Sequence, residues 1–188
     1  IKASGADSVI TGNWGQDLAL LIKAGKDAGL DVSWYSYYAG ASGTPTVIGS
    51  TYEGRIKIVY VAHPNIPGDL MKAQDAFSAR FRESLSTASV YHLFQLLPAA
   101  MAKARSTDPV KVARAMEGLS VKSFSGDIQM RASDHQLQQT LYVARWQKVG
   151  GPFTSDVENT GHTWVPEKVY EPYVSSTPTS CQMKRPSP

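Results

Sequence analysis

The chain has 188 residues, a formal net charge of +3, 42% hydrophobic residues and 19% charged residues. This length favours one domain or two small lobes, and the composition supplies enough apolar side chains for a packed core. The longest uninterrupted apolar runs, residues 18–22 and 96–102, fall far below the ~20 residues that a membrane span needs. No run of basic residues exceeds Lys184-Arg185, so we expect no nucleic-acid partner.

The first third of the chain has the pattern of alternating strands and helices. Residues 8–11 and 32–38 predict strands, residues 17–28 predict a helix between them, and the alternation through residues 55–62 predicts a third strand. Strands that are separated by a helix imply parallel pairing. The Gly-, Ser-, Thr- and Pro-rich residues 39–49 predict a loop.

The middle of the chain changes to helical patterns. Asp69 is placed to cap a first helix, and a second is expected over residues 89–105, where Pro98 predicts a kink. The third has the clearest start signal, with Asp108 as the N-cap and Pro109 at the first helical position.

Two further strands are expected near the end of the chain, over residues 126–131 and 137–147. The remaining Pro-, Ser- and Thr-rich residues predict loop or a strap over the surface. The fold class indicated is α/β, with a helical middle inserted between two ends that contain strands.

Candidate ligand-binding residues follow the predicted parallel strands, because ligands bind outside the carboxyl ends of such strands and near helix N-termini. The candidates are Asn13, Trp14, Gly15, Tyr37, Tyr38 and His63. Trp14 either faces this cleft or folds back as a lid on the core. Tyr37 and Tyr38 are adjacent and point to opposite faces, so at most one of them lines a cleft.

Catalytic and metal-binding patterns have little support. No two of the four histidines have the spacing of a zinc site, and the sequence contains neither a nucleophile elbow nor a phosphate-binding loop. Asp134-His135 has the appearance of a dyad, but adjacent side chains generally diverge, so a turn is expected there. Cys181 is the single cysteine, which excludes an intrachain disulfide. We therefore expect no enzyme, no metal and no cofactor.

Five segments of the chain together resemble one known family. They are residues 5–14 (GADSVITGNW), 24–30 (AGKDAGL), 54–59 (GRIKIV), 106–110 (STDPV) and 141–146 (LYVARW). The sequence is similar to the leucine/isoleucine/valine-binding family of type I periplasmic solute-binding proteins, which feed ABC importers. The similarity covers only the second half of such a protein, and we interpret the start at Ile1-Lys2, without an initiator Met, accordingly.

The resemblance implies the type I periplasmic binding protein fold, which has two lobes of parallel sheet flanked by helices, joined by three crossovers. Only the second half of this fold is expected here. Residues 1–63 would belong to the C-terminal lobe and residues 64–138 would supply helices and an edge strand of the N-terminal lobe. Residues 139–188 would return to the C-terminal lobe and end in a surface tail. His63-Pro64 would lie at a hinge, since its restricted backbone suits a crossover.

The resemblance also assigns roles to two of the candidates. Trp14 matches a family aromatic that covers the ligand from the C-terminal lobe. Tyr38 falls where amino-acid binders place a glutamate that pairs with the ligand's α-ammonium. A tyrosine hydroxyl is uncharged near neutrality and does not replace that ion pair, which favours an aromatic or aliphatic carboxylate or an amide over an α-amino acid.

The function implied by the resemblance is the periplasmic solute-binding component of an ABC importer, in the class that includes branched-chain amino-acid transport. Its ligand would be a small amphipathic acid, amide or amino acid, trapped in an interlobe cleft by hinge closure. The implied partners are that small molecule, the transporter's membrane permease and the missing N-terminal half, in which Cys181 would find a disulfide partner. The alternative is a ligand-sensing regulatory domain of the same fold, and an α/β enzyme ranks below both.

Overall fold

The computed structural model describes residues 1–85 and 88–186, which form two compact units. The first unit is made of residues 1–85 and 142–169, and the second of residues 88–141 and 170–186. The last two positions of the predicted tail, 187 and 188, lie outside the described residues.

The described residues contain five α-helices and eight strands, together with short 3-10 turns at Lys2–Ser4, Val157–Asn159 and Pro172–Ser175. The helices and strands, in chain order, are β1 (Ser8–Thr11), α1 (Gly15–Asp27), β2 (Ser33–Ser36), α2 (Thr44–Ile48), β3 (Ile56–Tyr60), α3 (Asp69–Phe81), α4 (Ala88–Ala104), α5 (Pro109–Met116), β4 (Ser120–Ser123), β5 (Gly126–Met130), β6 (Leu137–Gln138), β7 (Leu141–Lys148) and β8 (His162–Tyr170).

The first unit is built on a five-stranded sheet in the order β1-β2-β3-β7-β8. β1 pairs with β2 and β2 with β3 in parallel, whereas β3 and β7 are antiparallel. Thr11 lies opposite Ser36, and Ser36 lies opposite Ile58. The carboxyl ends of the three parallel strands therefore meet at one edge of the sheet, and the predicted parallel pairing is confirmed.

The core of the first unit joins the sheet to α1. Trp34, Ile56 and Trp146 are at most 1% exposed, and Leu18 and Ile22 of α1 belong to the same cluster. The helix approaches the sheet closely at Gly25, where a Cβ would lie 2.7 Å from the indole of Trp34. A glycine is therefore required at this crossing, and burial on this scale supplies the main stabilisation of the unit.

The second unit combines α4 and α5 with a three-stranded antiparallel sheet in the order β4-β5-β6. The predicted N-cap of α5 is confirmed, because Asp108 Oδ1 accepts a hydrogen bond from Lys111 N at 3.0 Å and Pro109 opens the helix. α4 continues as a helix through Pro98, where the sequence predicted a kink.

Two predictions about loops were wrong. Residues 39–49 contain α2, which begins beside Pro45 and ends at Gly49. The Pro-, Ser- and Thr-rich end of the chain contains β8, which is the neighbour of β7 in the sheet and is buried over its first four residues, 162–165. The strand predicted over residues 137–147 is divided into β6 and β7, and β4 was not predicted.

The assignment of residues 64–138 and 139–188 to the lobes of a longer fold stays a prediction. Within this chain, α3 belongs to the first unit, while α4, α5 and the small sheet belong to the second. Over residues 1–85 and 88–186, no helix combines the length and apolar character that crossing a membrane requires.

Candidate functional site

Three aromatic side chains are exposed where the chain leaves β1 and β2. Trp14 is 70% exposed, Tyr37 60% and Tyr38 48%. Because Thr11 and Ser36, the last residues of these strands, lie opposite each other, the two exits are neighbours at the carboxyl edge of the sheet. We call Trp14, Tyr37 and Tyr38 the aromatic edge. The alternative in which Trp14 folds back as a lid on the core is wrong, and so large an exposed aromatic surface is typical of a binding site.

The loop that carries Trp14 is held by its own polar residues. Asn13 N donates to Thr11 Oγ1 at 3.1 Å, and the Asn13 side chain contacts both Thr11 Oγ1 and the Asp17 carboxylate. Trp14 occupies the N-cap position of α1 in an extended conformation, and Gly15 follows with a φ of 56°. Asn13 and Gly15 thus position Trp14, since the amide is engaged within the loop and the glycine permits the left-handed turn.

The turn that carries the two tyrosines is fixed in a similar way. Tyr38 N donates to Ser36 Oγ at 3.0 Å, and Ala41 N donates to the Tyr38 carbonyl at 3.0 Å. Ala39 is fully buried, whereas Tyr37 and Tyr38 both remain exposed. The backbone is therefore anchored while both phenol rings are exposed. Exposure does not place the two rings on one face, so the expectation that at most one of them lines a cleft stays a prediction.

His63 follows β3 but has a different environment from the aromatic edge. It is 3% exposed, its Nε2 lies 3.5 Å from the Tyr142 carbonyl oxygen, and its ring meets the Tyr142 ring edge-on at 6.1 Å. Burial lowers the pKa of His63 to about 4, against the smaller opposing effect of the Tyr142 carbonyl. The imidazole is therefore neutral near pH 7. Its assignments as a ligand-binding residue and as part of a hinge stay predictions.

His63 and Trp164 line a cavity of about 240 Å³ within the first unit, which we call the Trp164 cavity. Its apolar walls include Ile58, Ala62, Leu85 and Val157, and its polar lining includes Gln74, Ser78, Ser84, Ser155, Asp75, Asp156 and Glu158. No residue of the aromatic edge is among the described residues that line it. The structure therefore does not bring His63 and the aromatic edge together in this cavity.

The Trp164 cavity was not predicted, because the composition of residues 155–164 favours loop or a strap over the surface. Trp164 is 3% exposed, and Val165 beside it is 6% exposed. The local signal was the run His162-Thr163-Trp164-Val165, which combines β-branched and aromatic residues that favour a strand.

Glu158 connects the cavity to the segment that follows the tyrosines. Its carboxylate accepts hydrogen bonds from Gly43 N at 2.7 Å, from Thr46 N at 2.9 Å and from Thr46 Oγ1 at 2.6 Å. These groups lie at the start of α2, so Glu158 supplies a cap from a distant part of the chain. The residue also has a φ of 54°, a conformation that side chains other than glycine rarely adopt.

Asp134 and Cys181, two residue types that can carry chemistry, have different surroundings. Asp134 lies in a turn, as predicted, and pairs with Arg131. The hydrogen bond from Arg131 holds the pKa of Asp134 well below its usual range. Cys181 is an exposed free thiol. The part of the chain that the structure describes holds no group of three or more His, Cys, Asp or Glu residues that could hold a metal ion.

Comparison with known proteins identifies the relatives of this chain. Residues 1–151 match the family described as periplasmic binding protein. The Leu/Ile/Val-binding protein homolog 4 of Brucella abortus (strain 2308) is 32% identical over 202 residues, which cover 99% of this chain and 46% of that protein. Its counterpart in Brucella melitensis biotype 1 has the same identity and coverage. The chain spans about half the length of these relatives and corresponds to their C-terminal half.

Solved structures agree with this relationship. The leucine-, isoleucine-, valine-, threonine- and alanine-binding protein of Brucella ovis, in a closed conformation, has a TM-score of 0.83 and 28% identity, covering 98% of this chain and 49% of that one. A leucine-binding protein from Thermotoga maritima has a TM-score of 0.69 and 17% identity, covering 91% and 46%. An ABC transporter solute-binding protein from Rhodopseudomonas palustris BisB5, in complex with 3,4-dihydroxybenzoic acid, has a TM-score of 0.66 and 14% identity, covering 90% and 46%.

The parallel sheet with its flanking helices is that of a type I periplasmic binding protein, of which this chain covers about half. The relatives are solute-binding proteins and not enzymes, and the family implies an extracytoplasmic location. The chain therefore belongs to the periplasmic binding protein family.

Proposed function

We propose that this chain is the C-terminal, ligand-facing half of a periplasmic solute-binding protein that serves an ABC importer. The observation that carries this proposal is the aromatic edge, in which Trp14, Tyr37 and Tyr38 are 48–70% exposed. These side chains stand at the carboxyl ends of two neighbouring parallel strands, where open α/β sheets bind their ligands. Aromatic groups held on anchored loops provide a rigid contact surface for a small amphipathic solute.

The solute that we propose is an aromatic or aliphatic carboxylate. Tyr38 offers a hydroxyl and a ring, but it lacks the negative charge that an α-ammonium would need. The complex of the Rhodopseudomonas palustris protein with 3,4-dihydroxybenzoic acid supports this choice, although it resembles the present chain in fold only. The name of the Brucella ovis protein makes branched-chain and small amino acids the competing class.

A second part of the proposal concerns the partner that completes the fold. Five apolar side chains of α4 in the second unit are 38–72% exposed: Val90, Tyr91, Leu93, Phe94 and Leu97. A continuous apolar helix face of this kind normally packs against another element. Since the relatives are about twice as long as this chain, we propose that the N-terminal half of the fold covers this face. The transporter's membrane permease would be the partner of the assembled protein.

The test is a calorimetric screen of the protein that carries the whole fold. Benzoate, 4-hydroxybenzoate, isovalerate and leucine would be titrated separately into the parent and into a Tyr38→Glu variant. We expect the parent to bind a carboxylate without an ammonium group more tightly than leucine, and Tyr38→Glu to reverse that order, because it restores a partner for the ammonium. Tight binding of leucine with no response to the aromatic acids would refute the proposed ligand class.

A further inference from the structure

The Trp164 cavity contains a buried hydrogen-bond donor that has no acceptor. Trp164 is 3% exposed, and among the described residues no acceptor reaches its indole Nε1. A Cβ built on Gly40, which also lines the cavity, would lie 3.6 Å from this nitrogen. This distance places the nitrogen beside Gly40, and both residues line the cavity. Eight other buried side-chain N or O atoms of the described residues also lack a hydrogen-bond partner, but Trp164 Nε1 alone among them belongs to a residue that lines this cavity. Since buried donors are nearly always satisfied in folded proteins, its position points to a ligand that supplies an acceptor.

The charges around the cavity disfavour an anionic acceptor. Asp75, Asp156 and Glu158 line it, and the described residues of its lining include no Lys or Arg. Asp156 Oδ1 accepts from Gly161 N at 2.9 Å and Glu158 holds α2, so both carboxylates are fixed in place. Asp75 and Asp156 are exposed and Glu158 is half-buried, so solvent screens their repulsion of an anionic ligand without removing it. A neutral or cationic ligand with N–H groups avoids this repulsion and finds acceptors.

The size and walls of the cavity define the rest of the ligand. A volume of about 240 Å³ lies below the range of sites that hold drug-sized molecules, so the occupant has few heavy atoms. Ile58, Ala62, Leu85 and Val157 supply apolar surface for an aliphatic body. A carboxamide combines the required groups, because its carbonyl accepts from an indole N–H while its NH₂ donates to a carboxylate.

We propose that the Trp164 cavity is a second small-molecule site, which takes a short aliphatic amide, neutral or positively charged, whose carbonyl oxygen accepts a hydrogen bond from Trp164 Nε1. The site is separate from the aromatic edge, and it discriminates against the carboxylates that the aromatic edge is proposed to bind. The proposed amide site can therefore be tested independently of the proposed function.

Isovaleramide and isovalerate are suitable probes because they have the same shape and differ in charge. Each would be titrated into the ¹⁵N-labelled 188-residue chain while the four tryptophan indole N–H signals are followed by NMR. The Trp164 signal is assigned from its disappearance in Trp164→Phe. We expect isovaleramide to shift that signal saturably, with a dissociation constant of about 1 mM or tighter, and isovalerate to bind at least about tenfold more weakly.

Two variants test the contacts. Trp164→Phe keeps an aromatic side chain, although phenyl is smaller than indole, and removes the N–H donor. We expect it to weaken isovaleramide binding about tenfold, as the loss of one buried hydrogen bond would. Asp75→Lys lies at an exposed position of α3, so it tests the charge in a folded chain even if Trp164→Phe does not fold. Asp75→Lys should reduce or reverse the ratio of affinities for isovaleramide over isovalerate. The matched change Asp27→Lys, also on a helix, should leave this ratio unaltered.

Three outcomes would overturn the proposal. The first is no saturable shift of the Trp164 signal with isovaleramide at concentrations well above 1 mM. The second is an equal response to amide and carboxylate. The third is a shift confined to Trp14, which would place the amide at the aromatic edge and leave the Trp164 cavity without a ligand.

Discussion

The exits of β1 and β2 and the exit of β3 lie along the same edge of one parallel sheet, yet they have opposite surroundings. The first two present the exposed rings of Trp14, Tyr37 and Tyr38. The third leads into His63, which is 3% exposed and lies beside Tyr142. Position at a strand's carboxyl end therefore does not by itself decide whether a side chain is available to a ligand.

The difference arises from what packs above each exit. Residues of α3, the helix that follows β3 in the chain, and of the segment 155–158, which is distant in sequence, line the cavity beside His63. Over β1 and β2, the described residues leave the aromatic rings open to solvent. The exit of β3 is thus buried and desolvated, whereas the exits of β1 and β2 expose an aromatic surface that a ligand could contact.

The largest expected effect is the contrast in stability between two tryptophans. Trp164→Ala should destabilise the first unit by about 3–5 kcal/mol, because it removes a buried indole and leaves a cavity. The matched change Trp14→Ala removes an exposed ring and should cost no more than about 0.5 kcal/mol. Urea unfolding followed by circular dichroism measures both changes in the free energy of unfolding. Similar losses for the two variants would contradict the contrast between a buried Trp164 and an exposed Trp14.

The second effect is a pH dependence of stability at His63. Its pKa is about 4 in the folded chain against 6.5 for an ordinary histidine, so the unfolded state takes up the proton first as the pH falls. The stabilisation is present above about pH 6.5 and is lost as the pH approaches 4, amounting to about 3 kcal/mol in all.

Urea midpoints measured between pH 7.5 and 4 would show this loss, and His63→Asn should flatten the profile. Part of the slope should remain in the variant, because burial also lowers the pKa of His92 in the second unit. An unchanged slope in His63→Asn would show that the β3 exit is open to water like the other two.

The third effect concerns affinity at the aromatic edge. In the protein that carries the whole fold, Trp14→Ala should weaken binding of the solute found in the screen about 30-fold, or about 2 kcal/mol, as is usual for an anchoring tryptophan. The control is Leu20→Ala, which removes another exposed apolar side chain, 65% exposed on α1, and should change affinity less than twofold. Equal losses in calorimetric titration would contradict a specific role for Trp14.

The smallest expected effect tests the hydrogen bonds between Glu158, which lines the Trp164 cavity, and the start of α2, which follows the aromatic edge in the chain. Glu158→Ala removes the acceptor for Gly43 N and Thr46 N and should cost about 1 kcal/mol, with faster amide exchange at both positions. Glu158→Gln keeps one acceptor oxygen and should lose less. Glu171→Ala, an exposed glutamate outside this contact, serves as the control. If exchange at Thr46 were no faster in Glu158→Ala than in this control, Glu158 would not hold α2.

Much of the fold was predictable because local signals agreed with the final structure. The alternation through Ile56 and Ile58 predicted β3, the Asp108-Pro109 pair predicted the start of α5, and the strand-helix-strand order predicted parallel pairing. The candidates Trp14, Tyr37 and Tyr38 were found by the same reasoning, since strand exits can be located from periodicity. Their roles in binding stay predictions.

The remaining features could not be predicted from local patterns. β8 lies in a segment whose Pro, Ser and Thr content favours loop, and its first residues become strand because they are buried beside β7. α2 depends on a cap supplied by Glu158, which is 112 residues away from Thr46. The Trp164 cavity joins four separate parts of the chain, so no single window of sequence contains it.

The sequence by itself determined the elements whose signals are local, the α/β class and the family resemblance. Only the tertiary structure decided that Trp14 is exposed, that His63 is buried and neutral, and that Trp164 lines a cavity. The physical reason is that periodicity, caps and turns depend on neighbours within a few residues, whereas desolvation depends on which distant segments pack above a side chain.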